Sequence, residues 1–106
     1  MKASKRKRLE AAGWRVGDVR DFLGLSSEEV ALVEMKLNLA RRLRRMRTRR
    51  KLSQAAVAKL IGSSQSRVAK MEAGDSRVSV DLLVRTLLAI GASRGDIARA
   101  IGQRAA

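Results

Sequence analysis

The sequence predicts an all-α fold, for three reasons. Proline, which breaks helices, is absent, and only one Trp and one Phe occur among 106 residues, so strand-forming aromatics are scarce. Leu, Ala and Arg, which are good helix formers, are frequent. Ser and Asp residues that cap helix N-termini alternate with glycines that end helices. The length allows one small domain with a short extension.

The N-terminal quarter is predicted to form a basic arm followed by a short helical extension. Met1 to about Arg8 is rich in Lys and Arg and could be a solubilising tail or lie along phosphates. From Leu9 to Leu25 the sequence favours a helical turn and then a short helix capped by Asp18. Trp14 and Phe22, the only aromatic residues, either anchor this segment to the rest of the chain or line a partner pocket.

The strongest helix signal begins at Ser26. Ser26 and Glu29 fit a capping box, and Leu25 and Val30 fit a hydrophobic staple across it, so we expect a helix that runs to about Arg50. Its apolar residues form two stripes in the first half and one in the second: Val30, Val33 and Leu37; Leu32, Met35 and Leu39; then Leu39, Leu43 and Met46. The first half therefore needs a second covering surface, from the Trp14–Phe22 segment or from a second subunit.

The stretch LSQAAVAKLIGSSQSRVAKMEAG, residues 52–74, predicts two short helices joined by a tight turn. Ser53 caps the first helix, Leu52 and Val57 fit a staple, and Gly62 ends it. Its inward residues are Val57, Leu60 and Ile61. Ser63 or Ser64 caps the second helix, which turns Val68 and Met71 inward and ends at Gly74, a position suited to a left-handed C-cap.

Two further helices are predicted after this hairpin. Ser79 is the expected N-cap of one helix, with Asp81 in its first turn and Gly91 at its end. Its inward residues are Leu82, Leu83, Leu87 and Ile90. Ser93 and Asp96 begin a last short helix, in which Ile97 and Ile101 are the buried positions.

The composition excludes several classes of function. Cys and His are both absent, which excludes disulfides, thiol chemistry and the commonest metal ligand. No catalytic constellation is visible, so we expect neither an enzyme nor a cofactor. No apolar run is long enough to span a bilayer, and the basic start is not followed by a signal-peptide core. We therefore expect a soluble, cytoplasmic protein without a membrane partner.

The net charge of +14 is concentrated around the predicted hairpin. Between residues 36 and 77 thirteen Lys and Arg face only Glu72 and Asp75. Most arginines of the long helix are expected on its solvent side: Arg41, Arg42, Arg44, Arg45, Arg49 and Arg50. Such an excess suits a polyanion, and its coincidence with the hairpin favours DNA over an acidic membrane surface or a merely solvated face.

The hairpin resembles a known family. Leu52-Ser53-Gln54, Val57-Ala58, Gly62, Ser64-Gln65 and Glu72-Ala73-Gly74 match the pattern of the phage-repressor (Cro/cI, or Xre) type of helix-turn-helix. The resemblance covers about Leu39 to Ile101 and implies a five-helix repressor-like fold. It divides the chain into an arm and helical extension over 1–34, continuing into the first long helix, and a DNA-binding domain over 35–106. A purely structural helical hairpin is the alternative.

The resemblance also implies roles for individual residues. Gln65 corresponds to the adenine reader, Ser66 and Lys70 occupy neighbouring reading positions, and Arg67 suits guanine or phosphate. Gln54 corresponds to a phosphate contact that can also brace the reading Gln. The full phosphate-contacting set is Gln54, Ser64, Arg49, Arg50 and Arg77. Arg47 and Glu72 are expected to form a structural ion pair.

Two functions follow from the resemblance as expectations. The first is a sequence-specific double-stranded DNA-binding transcriptional regulator, a homodimeric repressor that acts by operator occupancy and is nucleoid-associated when bound. The second is a HigA-like antitoxin that neutralises a RelE/ParE-like toxin and represses its own operon, with Leu9 to Val33 as the toxin-binding surface. The strong positive charge fits poorly with a basic toxin. A non-specific nucleoid binder suits the charge but not the polar reading positions.

Overall fold

The computed structural model describes residues 24–103, and every regular element in that range is an α-helix, as the sequence predicted. In chain order the helices are α1 (Ser27–Arg49), α2 (Gln54–Ile61), α3 (Gln65–Glu72), α4 (Val80–Ala89) and α5 (Arg94–Gly102). The predicted basic arm and the extension up to Leu23, with Trp14 and Phe22, lie outside the described residues. None of the helices between residues 24 and 103 has the length and apolar character that a bilayer span requires.

Residues 24–34 belong to one compact unit, in which α1 begins. The predicted capping box is present, because the Ser26 backbone N–H donates to Glu29 Oε1 at 2.9 Å and the Glu29 N–H donates to Ser26 Oγ at 3.2 Å. These hydrogen bonds lower the pKa of Glu29, and the one from the Ser26 backbone has the largest effect. Val30 is buried, whereas Leu32 remains 49% exposed. The predicted second covering surface over Leu32, which lies about 200° around the helix from Val30, stays a prediction.

Met35–Gln103 form the second compact unit, built around one apolar core. The stripe predicted for the second half of α1 is buried, and so are most of the predicted inward residues of the other helices. The buried residues include Leu39, Leu43, Met46, Val57, Val68, Met71, Leu83, Leu87, Ile90 and Ile97. Ile61, Leu82 and Ile101 are half-buried at its margin. Leu60 was predicted to face inward but is 58% exposed, because α2 turns Ala58 toward the core together with Val57.

Serine hydroxyls cap four of these helices. Ser53, Ser64, Ser79 and Ser93 each accept a hydrogen bond from the backbone N–H three residues later. Of the two serines proposed for α3, Ser64 is the cap. Gly62 ends α2 in the left-handed conformation at φ 65°. Such caps are local chemistry, and this explains why the helix boundaries follow from the sequence.

Gly74 follows the end of α3 and is constrained in two ways. Its φ of +74° is a conformation that residues with a side chain rarely adopt. A Cβ atom at this position would also lie 2.6 Å from Leu37 Cδ2 on α1. The C-cap of α3 itself is Ala73, one residue earlier than predicted. Gly74 therefore allows the chain to turn closely under α1.

Polar contacts attach later parts of the chain to α1. Asn38 Nδ2 donates to the Gln103 carbonyl, and Lys36 Nζ donates to the Ser76 carbonyl at 2.9 Å. Arg42 was predicted on the solvent side, but it is half-buried and pairs with Asp96 of α5, with Nη2 3.2 Å from Oδ1. The prediction for Arg42 was wrong because its partner lies far along the chain, on a helix that folds back against α1.

Candidate nucleic-acid interface

The α2–α3 hairpin carries most of the predicted site residues. The Ser63 N–H donates to the Ala58 carbonyl at 2.8 Å across the left-handed Gly62, so the chain reverses within three residues and Ser64 can start α3. Val68 and Met71 fix α3 to the core, since both are fully buried. Apolar burial on one side of an eight-residue helix determines which residues face outward on the other.

The outward face of α3 is entirely polar. Gln65, Ser66, Arg67 and Lys70, the four residues predicted to contact bases, are all exposed. Ser64, at the start of the helix, is exposed too, and its Oγ accepts from the Arg67 N–H at 3.2 Å. The hydroxyl proton of Ser64 remains available as a donor, because the cap uses only the oxygen as acceptor.

An open cleft beside α3 collects several of the predicted contacts; we refer to it as the α3 cleft. It is lined by Ser64, Ser66, Arg67, Lys70, Asp75, Arg77, Val78 and Leu82. Three cations and one carboxylate leave its lining positively charged. Three of the predicted base contacts, Ser66, Arg67 and Lys70, therefore share one surface with the predicted phosphate contacts Ser64 and Arg77, whereas Gln65 and Gln54 do not line it.

A chain of polar contacts runs behind α3, from α1 to the first reading position. Arg47 Nη2 donates to Glu72 Oε1 at 3.0 Å, and Arg47 Nε donates to Oε2. Glu72 Oε1 also accepts from Gln54 Nε2 at 3.1 Å, while Gln54 Oε1 accepts from Gln65 Nε2 at 3.3 Å. An ionised carboxylate can only accept, so Glu72 forces the Gln54 amide to turn its nitrogen inward and its oxygen toward Gln65.

The Arg47–Glu72 ion pair is shielded from solvent. The side chains are 16% and 5% exposed, and Arg47 Nη1 makes a further hydrogen bond of 2.9 Å to the Leu52 carbonyl. The hydrogen bond with Glu72 raises the pKa of Arg47. The ion pair thereby joins the end of α3 to α1, and Arg47 also holds the segment that precedes α2.

Arg77 has a partner that the sequence analysis missed. Asp75 accepts from Arg77 Nε at 3.1 Å, Nη2 at 2.9 Å and the backbone N–H at 2.9 Å. The side-chain hydrogen bonds from Arg77, and then the backbone one, hold the pKa of Asp75 well below its usual range, and Asp75 in turn raises the pKa of Arg77. An Asp placed two residues before an Arg in a turn was the available signal, since Asp commonly accepts from the backbone N–H two residues later.

Arg49 and Arg50, also predicted to contact phosphate, do not line the α3 cleft. Arg49 lies on the outer face of α1, in a shallow cleft with Arg41, Arg44, Arg45 and Thr48. The Arg50 guanidinium covers Gly91 at the end of α4, where a Cβ atom would lie 2.7 Å from Nη1. A cation is favourable there because helix C-termini carry partial negative charge.

Within residues 24–103, no group of three or more potential metal ligands gathers at one place. Comparison with known proteins supplies one match. A family model described as "Helix-turn-helix domain" matches residues 38–100, which is more than half of the chain and runs from the middle of α1 into α5. No curated protein and no solved structure matches the chain.

Proposed function

Because this chain belongs to the helix-turn-helix domain family, we propose that it is a sequence-specific double-stranded DNA-binding transcriptional regulator. It acts in the cytoplasm as a homodimer and represses by occupying its operator, without a catalytic step. The observation that carries the proposal is the asymmetry of α3, which buries Val68 and Met71 and leaves Gln65, Ser66, Arg67 and Lys70 exposed. A helix of this kind can enter the major groove while its apolar side stays in the core.

Gln65 is the proposed adenine reader. Its carboxamide can donate to N7 and accept from N6 at once, a pairing that the other base pairs do not offer in the major groove. Gln54 holds the Gln65 amide through a hydrogen bond of 3.3 Å, so the side chain is oriented before DNA is bound. Ser66 and Lys70 contact neighbouring bases, and Arg67 contacts guanine or a phosphate, according to the depth at which α3 enters the groove.

Phosphate contacts are proposed on both sides of α3. The Ser64 hydroxyl and the Gln54 amide flank its N-terminus, where the partial positive charge of the helix adds to the attraction. Arg77 lines the α3 cleft. It is 79% exposed and keeps Nη1 outside its contacts with Asp75, so one edge of the guanidinium can still donate to a phosphate.

The homodimer is supported by an incompletely covered apolar face. Leu32 on α1 is 49% exposed, although the sequence marks it as one of a buried stripe. A second copy that covered this face would give a two-fold symmetric dimer, and such dimers bind operators whose half-sites lie about one helical turn, 34–36 Å, apart. Light scattering on the free protein and on its complex with a palindromic duplex would measure the stoichiometry.

The same exposed leucine supports the second candidate, a HigA-like antitoxin, since Leu32 falls within the segment from Leu9 to Val33 proposed as the toxin-binding surface. The positive charge opposes the binding of a basic toxin. Co-expression with the product of any small reading frame that adjoins this gene distinguishes an antitoxin from a regulator without a toxin partner. A stable complex that relieves growth arrest would favour the antitoxin.

Selection from a pool of randomised duplexes tests the principal proposal. The bound fraction is expected to converge on a motif with adenine at a fixed position in each half-site. The same selection with Gln65→Ala is the control and should lose preference at that position alone. A pool that stays random after repeated rounds, while total binding remains unchanged, would mean that the protein binds DNA without reading its sequence.

A further inference from the structure

The outer face of α1 carries a second cationic surface, which we call the arginine ridge: Arg41, Arg44, Arg45 and Arg49. All four side chains are exposed, and with Thr48 they line one shallow cleft. Within the described part of the chain, the side chains of Arg44, Arg45 and Arg49 make no hydrogen bond or ion pair. Arg41 makes only a hydrogen bond of 3.4 Å to Asn38 Oδ1.

The ridge differs from most of the other arginines that the structure describes, although Arg50, Arg67 and Arg94 also lack an ion pair there. Arg42, Arg47, Arg77, Arg85 and Arg99 each pair with a carboxylate. Arg41 and Arg45, and again Arg45 and Arg49, are like charges four residues apart on one helix, an arrangement that destabilises a helix. A solvated face would be satisfied by charges of mixed sign. Four positive charges on one side of a helix, none of them in an ion pair, instead suit a polyanionic partner.

The ridge faces away from the surface that α3 presents. Arg41 and Arg45 each lie two residues from Leu43, which places both about 160° around α1 from it. Leu43 is fully buried in the core that also holds Val68 and Met71 of α3. No ridge residue lines the α3 cleft, so the two cationic surfaces are distinct.

We propose that the arginine ridge binds the phosphate backbone of a second DNA duplex, so that the protein bridges two DNA segments. This inference rests on the proposed function, which places the first duplex on α3. Arg41, Arg45 and Arg49 follow one line along α1 and span about 12 Å at 1.5 Å per residue. A DNA strand presents one charge per roughly 3.4 Å along its axis, so this line matches about three to four phosphates.

Guanidinium groups suit this partner because they bind phosphate oxygens in a bidentate manner. The ridge offers no side chain with both a donor and an acceptor except Thr48, whose hydroxyl donates to the Arg44 carbonyl at 2.7 Å. Although arginine can also contact guanine, the ridge lies on the open side of a helix and not on one that inserts into a groove, so phosphates are the groups that it meets first. The second duplex would be bound through its backbone, independently of sequence.

A capture experiment tests the bridge. One duplex carrying the selected motif is immobilised, protein is added, and a labelled duplex of unrelated sequence is offered at one fixed ionic strength. The ridge variant carries Arg41→Gln, Arg44→Gln and Arg45→Gln. Its matched control carries Lys51→Gln, Lys59→Gln and Arg94→Gln, which removes the same charge from exposed positions outside both surfaces. Binding of the motif duplex alone is measured for each protein.

Wild type and control are expected to capture the labelled duplex, and the ridge variant to capture about tenfold less while it binds the single motif duplex as the control does. Capture by the ridge variant equal to that of the control would overturn the bridge and assign any bridging to a dimer with two α3 surfaces. The ridge variant could instead lose binding to anionic phospholipid vesicles while it still captures the labelled duplex. That result would overturn the DNA bridge and assign the ridge to a membrane surface. A wild type that binds no duplex at all would refute the proposed function as well.

Discussion

The carboxylate of Glu72, at the end of α3, lies against the guanidinium of Arg47 on α1. The same carboxylate oxygen that accepts from Arg47 Nη2 accepts from Gln54 of α2. The Glu72 side chain thus joins three helices. It also determines the orientation of the Gln54 amide, which contacts Gln65.

Replacing Glu72 by Ala is expected to destabilise the protein, although it makes the DNA face more positive. Arg47 would be left without its partner in a place only 16% exposed, which costs about 3 kcal/mol. For a domain of this size such a loss lowers Tm by roughly 10 °C or more. Thermal unfolding followed by circular dichroism measures it.

Arg45→Ala is the matched control for Glu72→Ala, because Arg45 is exposed and has no ion-pair partner among the described residues. Its Tm should stay close to that of wild type. Arg42 would be a poor control, since it pairs with Asp96. If Glu72→Ala melts no lower than Arg45→Ala, the ion pair contributes nothing to stability.

Gln65→Ala and Arg77→Gln should weaken DNA binding in different ways. The first removes a base contact and should cost about 1–3 kcal/mol on the selected motif and little on random DNA. The second removes a backbone contact and should weaken binding to both duplexes alike. Fluorescence anisotropy with the two duplexes measures the losses, and equal losses for Gln65→Ala would remove it as a base reader.

Gln54→Ala should relax the discrimination made by Gln65. Gln54 turns its amide oxygen toward Gln65 because Glu72 holds its nitrogen, and this orientation is lost with the side chain. A double-mutant cycle of Gln54→Ala and Gln65→Ala, measured on the motif and on a duplex with the read adenine replaced, should show coupling of about 0.5–1 kcal/mol. Additive losses would limit Gln54 to a phosphate contact.

Asp96 should make stability depend on pH in the acidic range. Hydrogen bonds from the Ser93 backbone and hydroxyl, together with Arg99 and Arg42, lower its pKa from 3.8 to about 2. A folded-state pKa below the unfolded value stabilises the protein above the unfolded pKa, and this contribution disappears as pH falls through the folded pKa. Urea unfolding of wild type and Asp96→Asn should therefore differ at pH 7 and converge toward pH 2. A constant difference would contradict the assignment.

Asp75→Asn should strengthen DNA binding and steepen its salt dependence. Asp75 now occupies two donors of the Arg77 side chain, and its removal frees Arg77 for phosphate. One additional phosphate contact changes the slope of log K against log salt by about −0.9. Asp81→Asn is the control, because Asp81 is an exposed carboxylate outside the α3 cleft. Identical slopes for the two variants would show that Asp75 does not compete with phosphate for the Arg77 guanidinium.

The features that followed from the sequence are those that local chemistry determines. Ser53, Ser64, Ser79 and Ser93 cap helices through atoms three residues away, so each signal lies within one turn. Helical spacing predicted that Val68 and Met71 of α3 point inward. Once these two are buried, the polar residues of α3 must face outward.

The errors concern surfaces that depend on how helices are turned against one another. Spacing placed Leu60 and Ile61 on one face, but the angle of α2 exposes Leu60 and buries Ala58. Arg42 and Asp96 are 54 residues apart, so no local pattern joins them. Arg49 and Arg50 are neighbours in sequence, yet Arg49 lies on the outer face of α1 and Arg50, just after its end, lies against Gly91.

The hydrogen bond between Gln54 and Gln65 has a consequence for how long an operator complex lasts. A free glutamine loses about 1.5–2 kcal/mol of rotamer entropy when it is fixed in a groove. Gln65 has given up part of this freedom before DNA arrives, so the matching adenine has less ordering to impose. Among related complexes such differences act mainly on the dissociation rate, so preordering of one amide is expected to lengthen the residence time on the correct site.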